Sequence, residues 1–186
     1  MTMRKGGTWI QRWRVPLGFV CGFVFIALAK PGPRSLLVGG LISFIGLAIR
    51  AWASGHIRKN AELATGGPYS YTRNPLYFGS FLIGLGFTVA SGRLILAVLF
   101  GALFLGIYFP VMRVEATTLA ELFGEGYQSY RRAVPLFFPR VTPFRPEQVE
   151  PVTFDRSLYL RYREYRAALG FVIAWSLLLI RTYYLK

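Results

Sequence analysis

The sequence predicts an all-α fold: a polytopic bundle of about five membrane-crossing helices with a cytoplasmic cap, in one domain over residues 1–186. Three observations carry this. Hydrophobic residues fill 54% of the 186 positions and mean hydropathy is +0.42, too apolar for an ordinary soluble domain of this size. The apolar residues gather into five runs, most of them near the roughly 20 residues a helix needs to cross hydrocarbon. The basic residues flank those runs very unequally, as they do in membrane proteins of fixed orientation.

The first run, Val15 to Ala29, is short and leans on its flanks. Its charged start is that of a signal peptide, but Lys-Pro-Gly-Pro-Arg follows in place of a small-residue cleavage pattern, so it reads as a span. Cys21 within it is the only cysteine, which leaves no intrachain disulfide and no thiolate metal cluster. Pro31-Gly32-Pro33 allows only a tight hairpin into the second run, Ser35 to Ala53. A polar loop then leads into the third, Leu76 to Ala90, and Ser91-Gly92-Arg93 makes a second tight hairpin to the fourth, Leu94 to Met112.

Beyond Met112 the helix is expected to continue, with Glu115, Leu119 and Leu122 on one face and Gly124 as a left-handed cap. A short helix holds Tyr127, Tyr130 and Val134, and Pro135, Pro139, Pro143, Pro146 and Pro151 make an irregular connector. The tyrosine- and arginine-rich stretch from Phe154 to Arg166 suits a helix at the head-group boundary before the fifth run, Ala167 to Tyr184. Small residues at Gly18 and Gly22, Ser80 and Gly84, and Ala102 and Gly106 are spaced for close helix approach.

Alternation of five spans puts most basic residues and all eight acidic ones on one side, which the positive-inside bias makes cytoplasmic, together with the amino terminus. The net charge of +14 sits beside apolar spans and not on a soluble module, so it points to anionic lipid head groups and away from nucleic acid.

Two polar blocks meet on that side, residues 54–79 and 113–139. Their chemistry is spare. No His/Cys/Asp cluster has metal-ligand spacing, no Ser-His-Asp set can be built around His56, and neither GxGxxG nor GxxxxGK[ST] occurs. A site so poor in acids and bases can still run a reaction that depends on positioning and exclusion of water, such as methyl transfer from a sulfonium donor.

Gly-Pro-Tyr-Ser-Tyr-Thr-Arg-Asn-Pro-Leu-Tyr-Phe-Gly, residues 67–79, resembles the Gly-x-Tyr…Arg-His-Pro-x-Tyr-x-Gly motif of the isoprenylcysteine carboxyl methyltransferase and phospholipid methyltransferase family. Residues 115–139, with Glu115, Phe-Gly-Glu-Gly-Tyr-Gln-Ser-Tyr and a later Val-Pro, are similar to its second motif. The resemblance covers about residues 50 to 139 and implies S-adenosylmethionine at the cytoplasmic face. It assigns Ala61, Glu62, Leu63, Ala64, Tyr69, Asn74, Pro75, Leu76, Tyr77 and Glu115 to the cofactor; Arg73, Asn74 and Arg113 are the candidate catalytic residues, although Arg113 does not sit at the family's substrate-arginine position. Glu115 would bind a ribose hydroxyl or the donor's ammonium; its rival reading is a helix-end carboxylate paired with Arg113. Arg73 would hold an anionic group or face lipid phosphate. Two positions depart from the pattern: Asn74 stands where the family has His, and Ala116 replaces a second acidic residue. Asn cannot titrate near neutrality, which removes any proton-transfer role there.

The implied activity is methylation of a lipid-like substrate drawn from the bilayer. The lack of an evident base favours a carboxylate acceptor of the isoprenylcysteine type over a phospholipid amine. A sterol-reductase-like nicotinamide enzyme and a noncatalytic membrane scaffold or lipid-binding protein are the other readings.

Overall fold

The computed structural model describes residue 22 and residues 24–58, 62–145 and 153–184. Helix α1 runs Pro33–Ser54, a 3₁₀ turn Gly67–Ser70, α2 Pro75–Ala90, and α3 Leu94–Leu103. A π-helical segment, Phe104–Tyr108, joins α3 to α4, Phe109–Ala133; α5 is Arg156–Arg161 and α6 Tyr165–Tyr184. No strand occurs among the described residues.

Among the described residues three tracts are long and apolar enough to cross a membrane: Pro33–Ser54, Leu94–Ala133 and Tyr165–Tyr184. Helix α2, 16 residues, is apolar but shorter. Of the expected first span only its last part is described, helical over 24–28, and Gly18 and Cys21 lie outside the described residues. The outer faces suit a hydrocarbon solvent, since Leu37 and Phe44 are each 67% exposed and Leu94 is 81% exposed.

Both expected hairpin turns form, and they lie against each other. Lys30 N–H donates to Ser91 O (2.8 Å), and Ser35 Oγ donates to Ala90 O (3.1 Å), satisfying a carbonyl at the end of α2. Gly92 has φ +62, and a Cβ there would stand 2.7 Å from Lys30 O, so both its backbone and its contact require glycine.

Helices α1 and α2 touch backbone to backbone. A Cβ on Gly39 would lie 2.3 Å from Gly86 O, and one on Gly46 2.6 Å from Gly79 O; between them Ser43 Oγ donates to Ile83 O (3.1 Å). This seam is Gly39, Ser43 and Gly46 against Gly79 and Gly86, not the pairs singled out in the sequence. Of those, Gly84 makes room for the Phe100 ring of α3, whereas nothing comes within 4 Å of a Cβ on Gly106 or Gly22. Small-residue spacing marks a flat face but does not say that a partner lies on it.

Helix α6 leans on α1 through Trp175, 3.1 Å from a Cβ on Gly40, and its Leu178 is fully buried with Ala29, Leu36, Ala90 and Leu96. At the same end Arg181 Nε and Nη2 donate to Ala29 O (2.9 Å) and Ala27 O (2.8 Å).

The helix break expected at Gly124 forms: φ 50° and ψ −125° are non-helical there, although ψ lies outside the left-handed region of a cap, and the chain kinks between a helix carrying Glu115 and a second one carrying Tyr127 and Tyr130. Two other expectations change. Leu119 turns inward while Leu122 is 55% exposed, so the expected face does not bury as one stripe. The stretch from Phe154 to Arg166 is likewise broken: Asp155 caps α5 by accepting from Ser157 N–H (2.7 Å), and Arg163, at φ 54, turns the chain into α6. Those hydrogen bonds with Ser157 hold the Asp155 carboxyl below its ordinary range. Pro146 and Pro151 lie outside the described residues.

Candidate functional site

The loop entering α2 is shaped by Gly67, whose φ is +55 and whose Cβ would lie 2.4 Å from the imidazole of His56. His56 is itself held by the carbonyl of Trp52, 2.9 Å from Nδ1. Against this base the loop is zipped to the segment after α4. Arg73 N–H donates to Pro135 O (2.9 Å), Thr72 Oγ1 to Phe137 O (2.8 Å), Arg140 N–H to Tyr71 O (2.9 Å) and Phe144 N–H to Ser70 O (2.9 Å). Tyr130 Oη donates to Tyr69 O at 2.6 Å. The two polar blocks are therefore one folded unit, and the buried Tyr127, Tyr130 and Val134, with Leu63, Leu119 and Phe144 around them, are its core.

Asn74 precedes α2, yet its side chain does not cap that helix; Nδ2 donates to Leu136 O (2.9 Å). An amide at this position is spent as a strut. Ala116 packs against the Tyr127 core, a place suited to a methyl group and costly for a carboxylate. Arg73 Nη1 donates to Tyr127 Oη (3.0 Å) with its guanidinium 6.0 Å from that ring, while its Nε is buried without a hydrogen-bond partner among the described residues.

Across the site Tyr77 Oη donates to Glu115 Oε1 at 2.9 Å, joining the loop side to α4. Tyr108, at the end of the π-helical segment, stands edge-on to Tyr77 with centroids 5.7 Å apart. Tyr69, in the loop that enters α2, is 6% exposed, and its hydroxyl has no hydrogen-bond partner among the described residues. Burial raises its ionisation above the ordinary tyrosine range, and nearby Tyr130, Glu115, Tyr162 and Glu164 add to the shift, so it stays a neutral phenol.

The remaining candidates are placed elsewhere or do other work. Arg113 folds back over Phe109, 4.6 Å from its ring centroid, and makes no ion pair with Glu115 among the described residues. Glu62 is an exposed carboxylate 3.3 Å from Arg58 Nη1. Leu63 packs inward, Ala64 is half-buried, Pro75 is buried in the first turn of α2, and Leu76 O accepts from Arg50 Nη1 (3.3 Å). Ala61 lies outside the described residues. Thr72 lay within the motif without a role of its own, and Leu136 O, Arg50 and Glu164 were not singled out; of these three only Arg50 carried a signal, a lone charge inside an apolar run.

The arrangement fits S-adenosylmethionine on its own chemistry. An exposed carboxylate, two tyrosine rings and a buried hydroxyl without a partner offer acceptors and π faces to a cation, the character of the donor's sulfonium and ammonium groups.

A family described as phospholipid methyltransferase matches residues 37–126. A cobalt-zinc-cadmium resistance protein of Cupriavidus metallidurans is 32% identical over 156 residues, 78% of this chain and 72% of that protein. A nickel-cobalt-cadmium resistance protein of Alcaligenes xylosoxydans xylosoxydans is 38% identical over 128 residues, 66% of this chain and 60% of that protein. A protein-S-isoprenylcysteine O-methyltransferase of Schizosaccharomyces pombe is 26% identical over 128 residues, spanning 66% of this chain and 54% of that protein. No solved structure matches the chain at a significant level. With its two motifs folded together at one end of an apolar helical bundle, the chain belongs to the isoprenylcysteine carboxyl methyltransferase and phospholipid methyltransferase family.

Proposed function

We propose that this chain is an S-adenosylmethionine-dependent methyltransferase whose site lies at the cytoplasmic face and whose acceptor is the carboxylate of a lipid-like molecule, as in isoprenylcysteine O-methylation. The observation that carries the reading is the Tyr77–Glu115 bridge, which joins the first motif to α4 and sets an exposed carboxylate beside the Tyr77 and Tyr108 rings, partners suited to a cationic donor. When bound, that donor supplies a methyl group already activated on sulfur. The protein's part is then to orient and to exclude water. Glu115 and Tyr77 hold the donor side together. The Asn74 and Thr72 struts fix the loop that carries Tyr69, and the phenol stays protonated, with its oxygen left as an acceptor.

The absence of a base at position 74 supports the carboxylate acceptor: a carboxylate arrives ionised and gives up no proton, whereas an ammonium must first lose one. Asn74 cannot serve, because its amide is committed to Leu136 O.

The test is calorimetric binding of S-adenosylmethionine and S-adenosylhomocysteine to detergent-purified protein. Micromolar affinity, about −8 kcal/mol, is expected. Glu115→Ala should weaken it roughly tenfold to a hundredfold, the loss of about 1.5–3 kcal/mol for a hydrogen bond to a charged group. Radiolabelled methyl transfer to a prenylated cysteine and to phosphatidylethanolamine then separates ester from amine products. Folded protein that binds neither ligand would end the methyltransferase reading.

A further inference from the structure

Arg50 is a charged residue inside the membrane-crossing tract Pro33–Ser54, and an intramembrane charge persists only where it has partners and a use. It has partners on two other elements. Nε donates to Glu164 Oε1 (2.5 Å), just ahead of α6; Nη1 donates to Leu76 O (3.3 Å) and to Ser80 Oγ, both in α2. The side chains of Arg50 and Glu164 are 24% and 11% exposed, so water screens the pair little.

Two backbone features frame this contact. The arginine stem runs over Gly79, where a Cβ would come 2.6 Å from Arg50 Cγ and 2.7 Å from Gly46 O, so the glycine that brings α1 and α2 together also leaves the stem its path. On the other side Arg163 adopts φ 54, a left-handed conformation unfavourable for a residue with a Cβ, and the turn it forms, with Arg163 N–H to Leu160 O (3.0 Å) and Glu164 N–H to Tyr159 O (3.3 Å), delivers Glu164 inward. A backbone outlier, a glycine track and a half-buried ion pair thus converge on one point, and Leu76, which that point grips, is the neighbour of Tyr77.

We infer that Arg50 and Glu164 form a latch: paired, they hold the turn before α6 against the start of α2, closing that side of the site and setting the register in which Tyr77 reaches Glu115. Both are positioning residues, acting through Leu76 and Ser80. The link to the donor rests on the methyltransferase reading; the latch itself does not.

The test is a double-mutant cycle of Glu164→Gln, Arg50→Gln and the double variant, in full-length protein with Cys21 replaced by serine. Spin labels at the exposed positions 48 and 166 report the separation of α1 from the start of α6, and calorimetry reports S-adenosylhomocysteine binding. The parent should give one narrow distance distribution. Glu164→Gln, which keeps size and a hydrogen-bond acceptor, should broaden it and weaken binding about tenfold, or 1.4 kcal/mol. The double variant should be no worse than either single one, because neither charge is then left unpaired. An unchanged distribution in Glu164→Gln overturns the latch. Broadening with unchanged affinity overturns its role in positioning the site, as does strict additivity of the two single effects. If the parent binds no S-adenosylhomocysteine, the methyltransferase reading fails, and the distance measurement decides the latch alone. Should Arg50→Gln not fold, Glu164→Gln and the double variant carry the decision.

Discussion

Tyr69 combines two properties that ordinary core tyrosines avoid together: a buried hydroxyl, and no hydrogen-bond partner for it among the described residues. Removing the hydroxyl therefore costs the fold little while it costs a ligand its partner. Tyr69→Phe is expected to leave Tm at neutral pH unchanged or slightly higher, and to weaken S-adenosylhomocysteine binding by about 1 kcal/mol, roughly fivefold. The same residue sets a pH dependence. Its ionisation in the folded chain lies above the ordinary tyrosine value of 10.0, so its contribution to stability is whole below about pH 10 and is lost as pH rises from there toward the folded-state value. Thermal melts at pH 8 and pH 11 should show a smaller alkaline loss for Tyr69→Phe than for the parent. The motif named Tyr69, Asn74 and Glu115 by position, but the contacts they and Arg113 make, Asn74 as a strut to Leu136 O and Arg113 over Phe109, came only with the fold. The reason is that a side chain's position along the chain fixes its reach, not which of several carbonyls or rings it finds.

At the scale of elements, the tight hairpins were legible because Pro31-Gly32-Pro33 and Ser91-Gly92-Arg93 limit the backbone locally. The seam between α1 and α2 was not, because every span holds small residues and only packing selects the pair that meets. A substitution pair separates these cases. Gly39→Ala places a methyl 2.3 Å from Gly86 O and 2.8 Å from Ala90, and should destabilise by about 1–3 kcal/mol as the helices are forced apart. Gly101→Ala meets nothing within 4 Å and should be neutral or stabilise α3 by up to about 1 kcal/mol through helix propensity. Unfolding in mixed micelles with added denaturant detergent would read both. The kink at Gly124 belongs to the same scale: the residue was recognisable as a helix breaker, and beyond it Tyr127 and Tyr130 meet Arg73 and the Tyr69 carbonyl, partners no local pattern named.

Across the whole molecule, α6 is held near both ends by arginine, to Glu164 from Arg50 at the site end and from Arg181 to Ala27 and Ala29 at the other. The hairpin turns at Lys30 and Ser91 mark that second end. If the site end is cytoplasmic, a membrane-impermeant thiol reagent applied from outside intact cells should label Arg93→Cys and spare Val141→Cys, which is 95% exposed, until the cells are opened. The reverse pattern would invert the orientation.

By itself the sequence determined that the chain is helical and apolar, where two of its turns fall, and which two polar segments carry the family's motifs, since hydropathy, glycine and proline conformations and motif spacing are properties of neighbouring residues that add up along the chain. Only the tertiary structure decided that the two segments zip into one unit, that Tyr69 keeps a buried hydroxyl to spare, and that Arg50 meets Glu164 from 114 residues away. Such pairings depend on which helix faces come together and on what burial leaves unsatisfied, and neither quantity exists until the chain has folded.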